Sequence, residues 1–143
     1  PTRTTPTRTL AEMAELAAGF ALRVDGTELA GAEVVDGRRY VCLVRTASYE
    51  AWLVEWSPAS MLAPHDHGGA AGVLHVVDGE LVETYRDDKK TKSRERKIEA
   101  GYTVRVPASR EHEVWNATAR PARSIHVYSP PGLVSSALTA PAS

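Results

Sequence analysis

Hydrophobic residues follow different spacings on the two sides of residue 40. On the N-terminal side they recur every three or four positions, which places them on one face of an α-helix. These residues are Leu10, Met13, Leu16, Ala17 and Phe20. Thr9 and Glu12 have the spacing of a capping box, in which each side chain bonds the other residue's backbone N–H at the start of a helix. The pattern predicts one amphipathic helix, Leu10–Leu22, whose apolar face packs on the rest of the fold.

On the C-terminal side, short runs of β-branched and aromatic residues are separated by turn residues. The predicted strands are Tyr40–Arg45, Tyr49–Trp56, Gly72–Val77, Glu80–Tyr85, Arg94–Ile98, Tyr102–Val106, His112–Asn116 and Ser124–Tyr128. Between two of these runs, the dipeptide Asp78-Gly79 is typical of a tight β-hairpin. Many short strands with no helices between them predict a sandwich or barrel rather than an alternating β/α fold.

The length and composition predict one domain. The chain has 143 residues, and we expect a single domain over 9–131 between a frayed N-terminus, 1–8, and a C-terminal tail, 132–143. A net charge of −1 gives no general attraction to nucleic acid or to an anionic membrane, and no apolar run is long enough to span a bilayer. The single cysteine, Cys42, excludes an intramolecular disulfide and is expected to be a small core residue. We expect a cytoplasmic protein, either a monomer or a homodimer.

One segment, Arg86–Lys97, is highly charged, with seven basic and three acidic residues. It could be a basic patch for RNA or phosphate. A solvated hairpin whose charges protect the edge of a sheet is the favoured interpretation.

All five histidines lie in the β-rich part of the chain, and His65 and His67 form an HxH triplet around Asp66. Residues i and i+2 of an extended segment point to the same side, so these two imidazoles can converge on one point. A third histidine from a distant strand would complete a metal site, and imidazole suits iron, zinc, copper and nickel. Asp66 points to the opposite side and is expected to make a structural hydrogen bond.

Further residues follow the histidine pair at fixed intervals, and they are Gly79, Gly101, Pro107, His112 and Asn116. With the HxH triplet, the order G-x5-P-x4-H-x3-N resembles the two motifs of the cupin superfamily, apart from Ser109 in place of a glycine. The resemblance covers roughly residues 50–130. It implies a mainly β fold, a double-stranded β-helix or jelly-roll barrel with a short N-terminal helix, and a metal bound by His65, His67 and His112.

The position of the usual cupin acid, five residues after His67, is held by Gly72. The expected site therefore has three histidines and no carboxylate. If Gly72 faces the metal, strand alternation turns His75 away from it, and we expect a structural role for His75.

Three local segments resemble the thiol dioxygenases, of which cysteine dioxygenase is the best-known member. Pro64–Gly69 reads PHDHGG, Trp56 stands nine residues before the first histidine, and Ser124–Pro131 reads SIHVYSPP. The last segment is close to the family's Ser-x-His-x-Tyr-Ser-Pro-Pro string. The resemblance implies that Tyr128 points its hydroxyl at substrate or oxygen, that His126 positions Tyr128, and that Ser124 orients His126. Because Gly72 replaces the cysteine of mammalian-type enzymes, the chain resembles the bacterial type without a Cys–Tyr crosslink.

The resemblance also implies the chemistry. Three neutral imidazoles leave bound Fe(II) with its full charge and open positions, so that a small thiol can bind as the thiolate beside O2. Transfer of both oxygen atoms to sulfur then produces a sulfinic acid.

The substrate is the least defined part of this interpretation. Cysteine dioxygenases carry a Tyr-x-Arg pair whose arginine binds the substrate carboxylate. Tyr40 matches the tyrosine and is expected to contact substrate, but the arginine position falls on Cys42, or on Val41 in a shifted alignment. Arg39 and Arg45 alternate away from the face of Tyr40. L-cysteine or a related mercapto compound is expected. Two alternatives stay open: another metal-dependent cupin enzyme, such as an isomerase or a dioxygenase acting on carbon, and a non-catalytic cupin that binds a small molecule.

Overall fold

A computed structural model describes residues 6–65, 69–88 and 90–133, without the side chains of residues 63–65. The helix α1 is Leu10–Ala21, and a short 3-10 turn follows at Thr27–Leu29. The strands are β1 (Glu33–Val35), β2 (Arg38–Arg45), β3 (Glu50–Trp56), β4 (Met61–His65), β5 (Ala71–Asp78), β6 (Glu80–Arg86), β7 (Arg94–Glu99), β8 (Thr103–Val106), β9 (Glu111–Trp115) and β10 (Ala122–Ser129).

The helix α1 forms as its sequence pattern predicts. The Thr9 hydroxyl accepts the backbone N–H of Glu12 at 3.0 Å, and the Glu12 carboxylate accepts the backbone N–H of Thr9 at 3.0 Å. Met13 and Ala17 are completely buried on the face that contacts the sheet. The predicted helix is confirmed and ends one residue before the expected position.

Two antiparallel sheets make up the rest of the described chain. The larger sheet has the order β1-β2-β3-β10-β5-β8, and the smaller has the order β4-β9-β6-β7. Between the sheets lies a core that includes Trp56, Leu74, Leu81 and Val114. A second core fills the space between α1 and the outer face of the larger sheet. The predicted mainly β architecture with one helix is confirmed. We call the space between the sheets the barrel interior.

The eight predicted strands are all present, with ends within two residues of the expected positions. The hairpin predicted at Asp78-Gly79 is wrong. Strand β5 pairs with β10 and β8, whereas β6 pairs with β7 and β9 in the other sheet. Gly79, at φ +80°, instead turns the chain from one sheet to the other. A Cβ at this glycine would lie 2.9 Å from Ala122, so the corner also requires the absence of a side chain.

The charged segment forms the hairpin of β6 and β7, and β7 is an edge strand of the smaller sheet. This agrees with the favoured interpretation as a charged edge, although Lys89 lies outside the described residues. Arg96 is the exception, because its side chain enters the barrel interior and contacts Glu83.

No helix in the described ranges is long and apolar enough to cross a membrane. Cys42 is exposed, so the expectation that it is a core residue is wrong. It lies opposite Trp52 on the inner face of β2, in the second half of the strand. The chain is held in place from Arg8 onward, since the backbone N–H of Arg8 donates to Ser129 Oγ at 2.8 Å.

Candidate active site

Three side chains of β10 form a hydrogen-bonded row on the inner face of the larger sheet. Ser124 Oγ lies 2.7 Å from His126 Nε2, and His126 Nδ1 lies 3.0 Å from the Tyr128 hydroxyl. All three residues are buried. Alternation along the strand produces this arrangement, because Ile125 and Val127 point to the opposite face and pack under α1. We call Ser124, His126 and Tyr128 the relay.

Trp56 determines the direction of the hydrogen bonds in the relay. Its indole N–H can only donate, and it donates to Ser124 Oγ at 2.9 Å. Among the described residues, the acceptor for the hydroxyl hydrogen of Ser124 is His126 Nε2. A neutral imidazole that accepts at Nε2 carries its proton on Nδ1, from which it would donate to the Tyr128 oxygen. In that arrangement the Tyr128 hydroxyl accepts from His126 and is the donor in any second hydrogen bond that it makes.

Burial raises the pKa of Tyr128 well above its ordinary value, and the nearby Glu50 carboxylate raises it further, against a smaller opposing effect of Arg38. The phenol is consequently neutral at physiological pH and can donate a proton. Its ring lies against Gly72 on β5. A Cβ at that glycine would lie 2.6 Å from Tyr128 Cδ1, so the ring occupies the space in which a side chain at the cupin acid position would begin.

On the opposite sheet, His112 of β9 is buried and bonded to a carboxylate. Its Nδ1 lies 2.8 Å from Glu83 Oε2, and Glu83 also accepts a hydrogen bond from Arg96 Nε at 2.6 Å. Burial is the largest single effect on the pKa of Glu83 and raises it, but the hydrogen bonds and charges of His112 and Arg96 together outweigh burial, so the pKa is lowered and the carboxylate is ionised. A carboxylate that accepts from Nδ1 fixes the tautomer of His112 and leaves Nε2 with a lone pair for a metal.

The other two predicted metal ligands are only partly covered by the structure. The backbone of His65 in β4 pairs directly with that of His112 in β9, so the two residues are cross-strand neighbours. The side chain of His65 and the whole of His67 and Asp66 lie outside the described residues. Within the part of the chain that is described, no three histidine, cysteine or acidic side chains form a metal cluster.

Tyr40 lies on the inner face of β2, as its predicted role requires, and its hydroxyl donates to Glu33 Oε2 at 2.9 Å. Two positions earlier on the same face is Arg38, which is 1% exposed. Its charge lies close enough to act on the pKa values of both Tyr40 and Tyr128. Arg38 was missed because only Arg39 and Arg45 were considered. Its position two residues before Tyr40 could have identified it, because residues two apart on a strand point to the same face. The expectation that Arg45 turns away from the face of Tyr40 is wrong, because a register shift in β2 between Cys42 and Val44 places Arg45 opposite Glu50 on the inner face.

Two residues singled out from the sequence lie away from the relay. His75 is on the outer face of β5 and contacts Thr103 Oγ1 at 2.7 Å, consistent with the expected structural role. Asn116 donates to the carbonyl oxygens of Trp56 and Arg120 and organises the loop after β9.

Comparison with protein families shows that residues 7–137 match the model of cysteine dioxygenase type I. The chain belongs to the cysteine dioxygenase type I family. A search of curated proteins finds no match. The residues of the relay and His112 are thus parts of a cysteine dioxygenase-type chain.

Solved structures with the same fold are diverse. KdgF from Halomonas sp. is similar with a TM-score of 0.61 and 18% identity, over 70% of this chain and 86% of that one. Oxalate oxidase in complex with glycolate has a TM-score of 0.63 and 21% identity, over 75% of this chain and 59% of that one. The Cnp3 cupin domain of Schizosaccharomyces pombe has a TM-score of 0.59 and 12% identity, over 71% and 70%. These similarities confirm the cupin fold. The family match indicates an oxidoreductase of the cysteine dioxygenase type.

Proposed function

We propose that this protein is a non-haem Fe(II) thiol dioxygenase that converts a small thiol and O2 into the sulfinic acid. In the overall reaction the sulfur is oxidised, O2 is reduced, and both oxygen atoms are bonded to sulfur in the product. The observation that carries the proposal is the relay, a buried hydrogen-bonded row that ends in a Tyr128 phenol whose pKa is raised by burial. A site that only binds a small molecule has no need of an ordered proton donor. We also propose that the protein acts in the cytoplasm, as a monomer or a homodimer.

Imidazole donors such as these suit an Fe(II) ion. His65, His67 and His112 would hold it, and the Glu83 bond to Nδ1 prepares His112 to ligate through Nε2. The ring of Tyr128 occupies the space in which a side chain at residue 72 would begin, which agrees with a site that has no carboxylate from this position. When bound, Fe(II) supplies the centre at which a thiolate and O2 exchange electrons.

The chain's own residues supply positioning and proton control. Tyr128 holds a proton at its hydroxyl, and the His126 N–H that donates to the same oxygen would stabilise negative charge there. Ser124 and Trp56 keep His126 in the required tautomer. Burial of the whole row excludes water, which strengthens each of these polar interactions.

Arg38 supports a substrate that carries a carboxylate. The family's arginine position holds Cys42 in this chain, but Arg38 brings a guanidinium to the same inner face from four residues earlier. A buried guanidinium is the usual partner of a carboxylate, which it can bind through two parallel hydrogen bonds. L-cysteine and other mercaptocarboxylates are therefore the preferred candidates.

The test is oxygen uptake by protein loaded anaerobically with Fe(II), with mass spectrometry of the products. The thiols are L-cysteine, 3-mercaptopropionate, cysteamine and mercaptosuccinate. We expect a gain of two oxygen atoms with at least one of them. We expect Tyr128→Phe to bind iron normally and to lose roughly 10²-fold or more in rate, since it lacks the proton donor. Stoichiometric iron with no uptake for any thiol would favour another cupin chemistry instead, and an unchanged rate in Tyr128→Phe would remove the relay from the mechanism.

A further inference from the structure

Arg96, a residue of the charged segment, connects the edge of the smaller sheet to a predicted metal ligand. It lies on β7 directly opposite Glu83 of β6, and its Nε donates to Glu83 Oε1 at 2.6 Å. The other carboxylate oxygen, Oε2, lies 2.8 Å from His112 Nδ1 on β9. Glu83 is completely buried, and each of its oxygens bonds a different strand. The carboxylate therefore bridges an edge arginine and the histidine that is expected to hold the metal.

An aromatic ring also holds the guanidinium of Arg96. The Cζ atom of Arg96 lies 4.5 Å from the centroid of the Tyr85 ring, and the Cζ atom of Arg110 lies 4.5 Å from the same centroid. Tyr85 is itself the direct neighbour of His112 across β6 and β9. Stacking on a ring restricts a planar guanidinium in a way that a flexible ammonium group does not share. The stack and the bond to Glu83 together fix the direction of Arg96 Nε.

The position of Arg96 has a cost that edge protection does not explain. Its side chain is 32% exposed, yet Nη2 is buried and has no acceptor among the described residues. A buried donor without an acceptor lowers stability. Arg94, two residues earlier on the same strand, is exposed. A charge that only protects the edge of the sheet could stay in solvent as that of Arg94 does, so the inward position of Arg96 calls for another role.

We propose that Arg96 is a positioning residue for the metal, which holds Glu83 against His112 and so sets how tightly His112 binds a divalent ion. The inference rests on the metal site of the proposed function and adds a residue from outside that site. A carboxylate that accepts from Nδ1 orients the imidazole and makes Nε2 a better ligand. Without Arg96, the bond that fixes Oε1 is lost, and the carboxylate is free to turn away from His112.

The experiment measures the metal affinity of the full chain under anaerobic conditions. Competition against a coloured chelator gives the dissociation constant for Fe(II), and the visible absorption of bound Co(II) reports the arrangement of its ligands. We expect Arg96→Gln to weaken Fe(II) binding by roughly tenfold or more, the usual loss when the partner of a metal-binding histidine is disturbed, and to alter the Co(II) spectrum. We expect Arg96→Lys to recover only part of the affinity, because it keeps the charge without the planar, stacked group.

Glu83→Gln shows whether Arg96 acts through the carboxylate. We expect this variant to weaken Fe(II) binding at least as much as Arg96→Gln does. The double variant Glu83→Gln/Arg96→Gln should then bind Fe(II) no more weakly than Glu83→Gln alone, since no carboxylate is left for Arg96 to hold. A general effect of Arg96 on the stability of the sheet would instead add to the loss from Glu83→Gln.

Arg94→Gln is the matched control. It removes the same charge from the same strand, two residues away, at a side chain that is exposed. We expect it to keep the wild-type dissociation constant for Fe(II) and the wild-type Co(II) spectrum. The comparison separates the bond to Glu83 from the general effect of positive charge near the metal.

An unchanged dissociation constant in Arg96→Gln, or equal losses in Arg96→Gln and Arg94→Gln, would overturn the inference. Additive losses in the double variant or complete recovery in Arg96→Lys would overturn it as well. Failure of the proposed function looks different. Wild-type Fe(II) affinity in His112→Ala would remove the metal site itself, whereas iron bound through His112 without oxygenation of any thiol would contradict the dioxygenase and leave the role of Arg96 intact.

Discussion

Tyr128 restricts residue 72 to glycine, because its ring packs directly against the backbone there. The ring of Tyr128 lies where a Cβ at position 72 would be, 2.6 Å from Cδ1 and 3.0 Å from Cε1. The absence of a carboxylate side chain at residue 72 and the position of the Tyr128 ring therefore depend on each other. Any side chain at residue 72 has to displace the ring or bend β5 away from β10.

We expect Gly72→Ala to destabilise the protein by roughly 1–3 kcal/mol, the usual cost of forcing a methyl group into a packed interior. The displaced ring should also weaken the bond between Tyr128 and His126, so the oxygenation rate should fall more than the stability alone explains. Chemical denaturation and initial rates at full folding measure the two effects. Gly19→Ala is the control, because a Cβ there meets only the end of Arg23 at 3.7 Å in a helix that favours alanine. Equal stability of Gly72→Ala and wild type would show that the ring is not held at this position.

For single residues, the sequence pattern predicted relations between residues that are close together on one strand. Strand alternation predicted that Ser124, His126 and Tyr128 share one face and that His75 lies on the other, whereas the roles of the three rested on the family resemblance. Glu83 was missed because its partner, His112, is 29 residues away along the chain. Nothing in a single sequence pairs those two positions until the register of β6 and β9 is known.

The helix α1 is the element whose start is most clearly determined. The capping box satisfies two backbone N–H groups of the first turn that otherwise have no partner in the helix. A hydrogen bond from the backbone N–H of Arg8 to Ser129 Oγ connects the start of the helix to β10. The helix covers the outer face of the strand that carries the relay, so its stability bears on the site.

Thr9→Ala should lower the free energy of unfolding by about 1 kcal/mol, the typical loss for an N-cap. Thermal unfolding followed by circular dichroism measures the difference. Thr7→Ala is a suitable control, since Thr7 is exposed and makes no hydrogen bond among the described residues. Loss of stability by the same amount in both variants would assign the effect to the N-terminal segment in general rather than to the cap.

Helices and strands could be predicted from the sequence where one face of the element is apolar and the other polar. Two strands were missed. Strand β1 has only three residues, and β4 contains Pro64 and leads into the HxH triplet. The error at Asp78-Gly79 has a different cause. A left-handed glycine allows a sharp turn, but which sheet the next strand joins depends on distant partners.

On the scale of the whole molecule, a bound metal would connect neighbouring strands of the smaller sheet, since His65 is in β4 and His112 in β9. A ligand that binds only the folded state raises stability by mass action, by about 2.7 kcal/mol at a hundredfold excess over its dissociation constant. We expect Fe(II) under anaerobic conditions to raise the unfolding temperature of the wild type by several degrees.

His112→Ala should lose both this increase and the binding of iron. His75→Asn should keep both, because His75 points away from the barrel interior toward Thr103. A full metal-dependent increase in His112→Ala would contradict the three-histidine assignment.

The position of β10 in the larger sheet has a consequence for how the protein is made. This strand lies between β3 and β5, although Ser124 follows its partner Trp56 by 68 residues. While the chain is being synthesised, β3 and β5 therefore emerge long before the strand that separates them, and each keeps an open edge that can pair with other chains. Because the strand that closes this gap also carries Ser124, His126 and Tyr128, a chain made only as far as β9 contains neither the strand that protects these edges nor the relay.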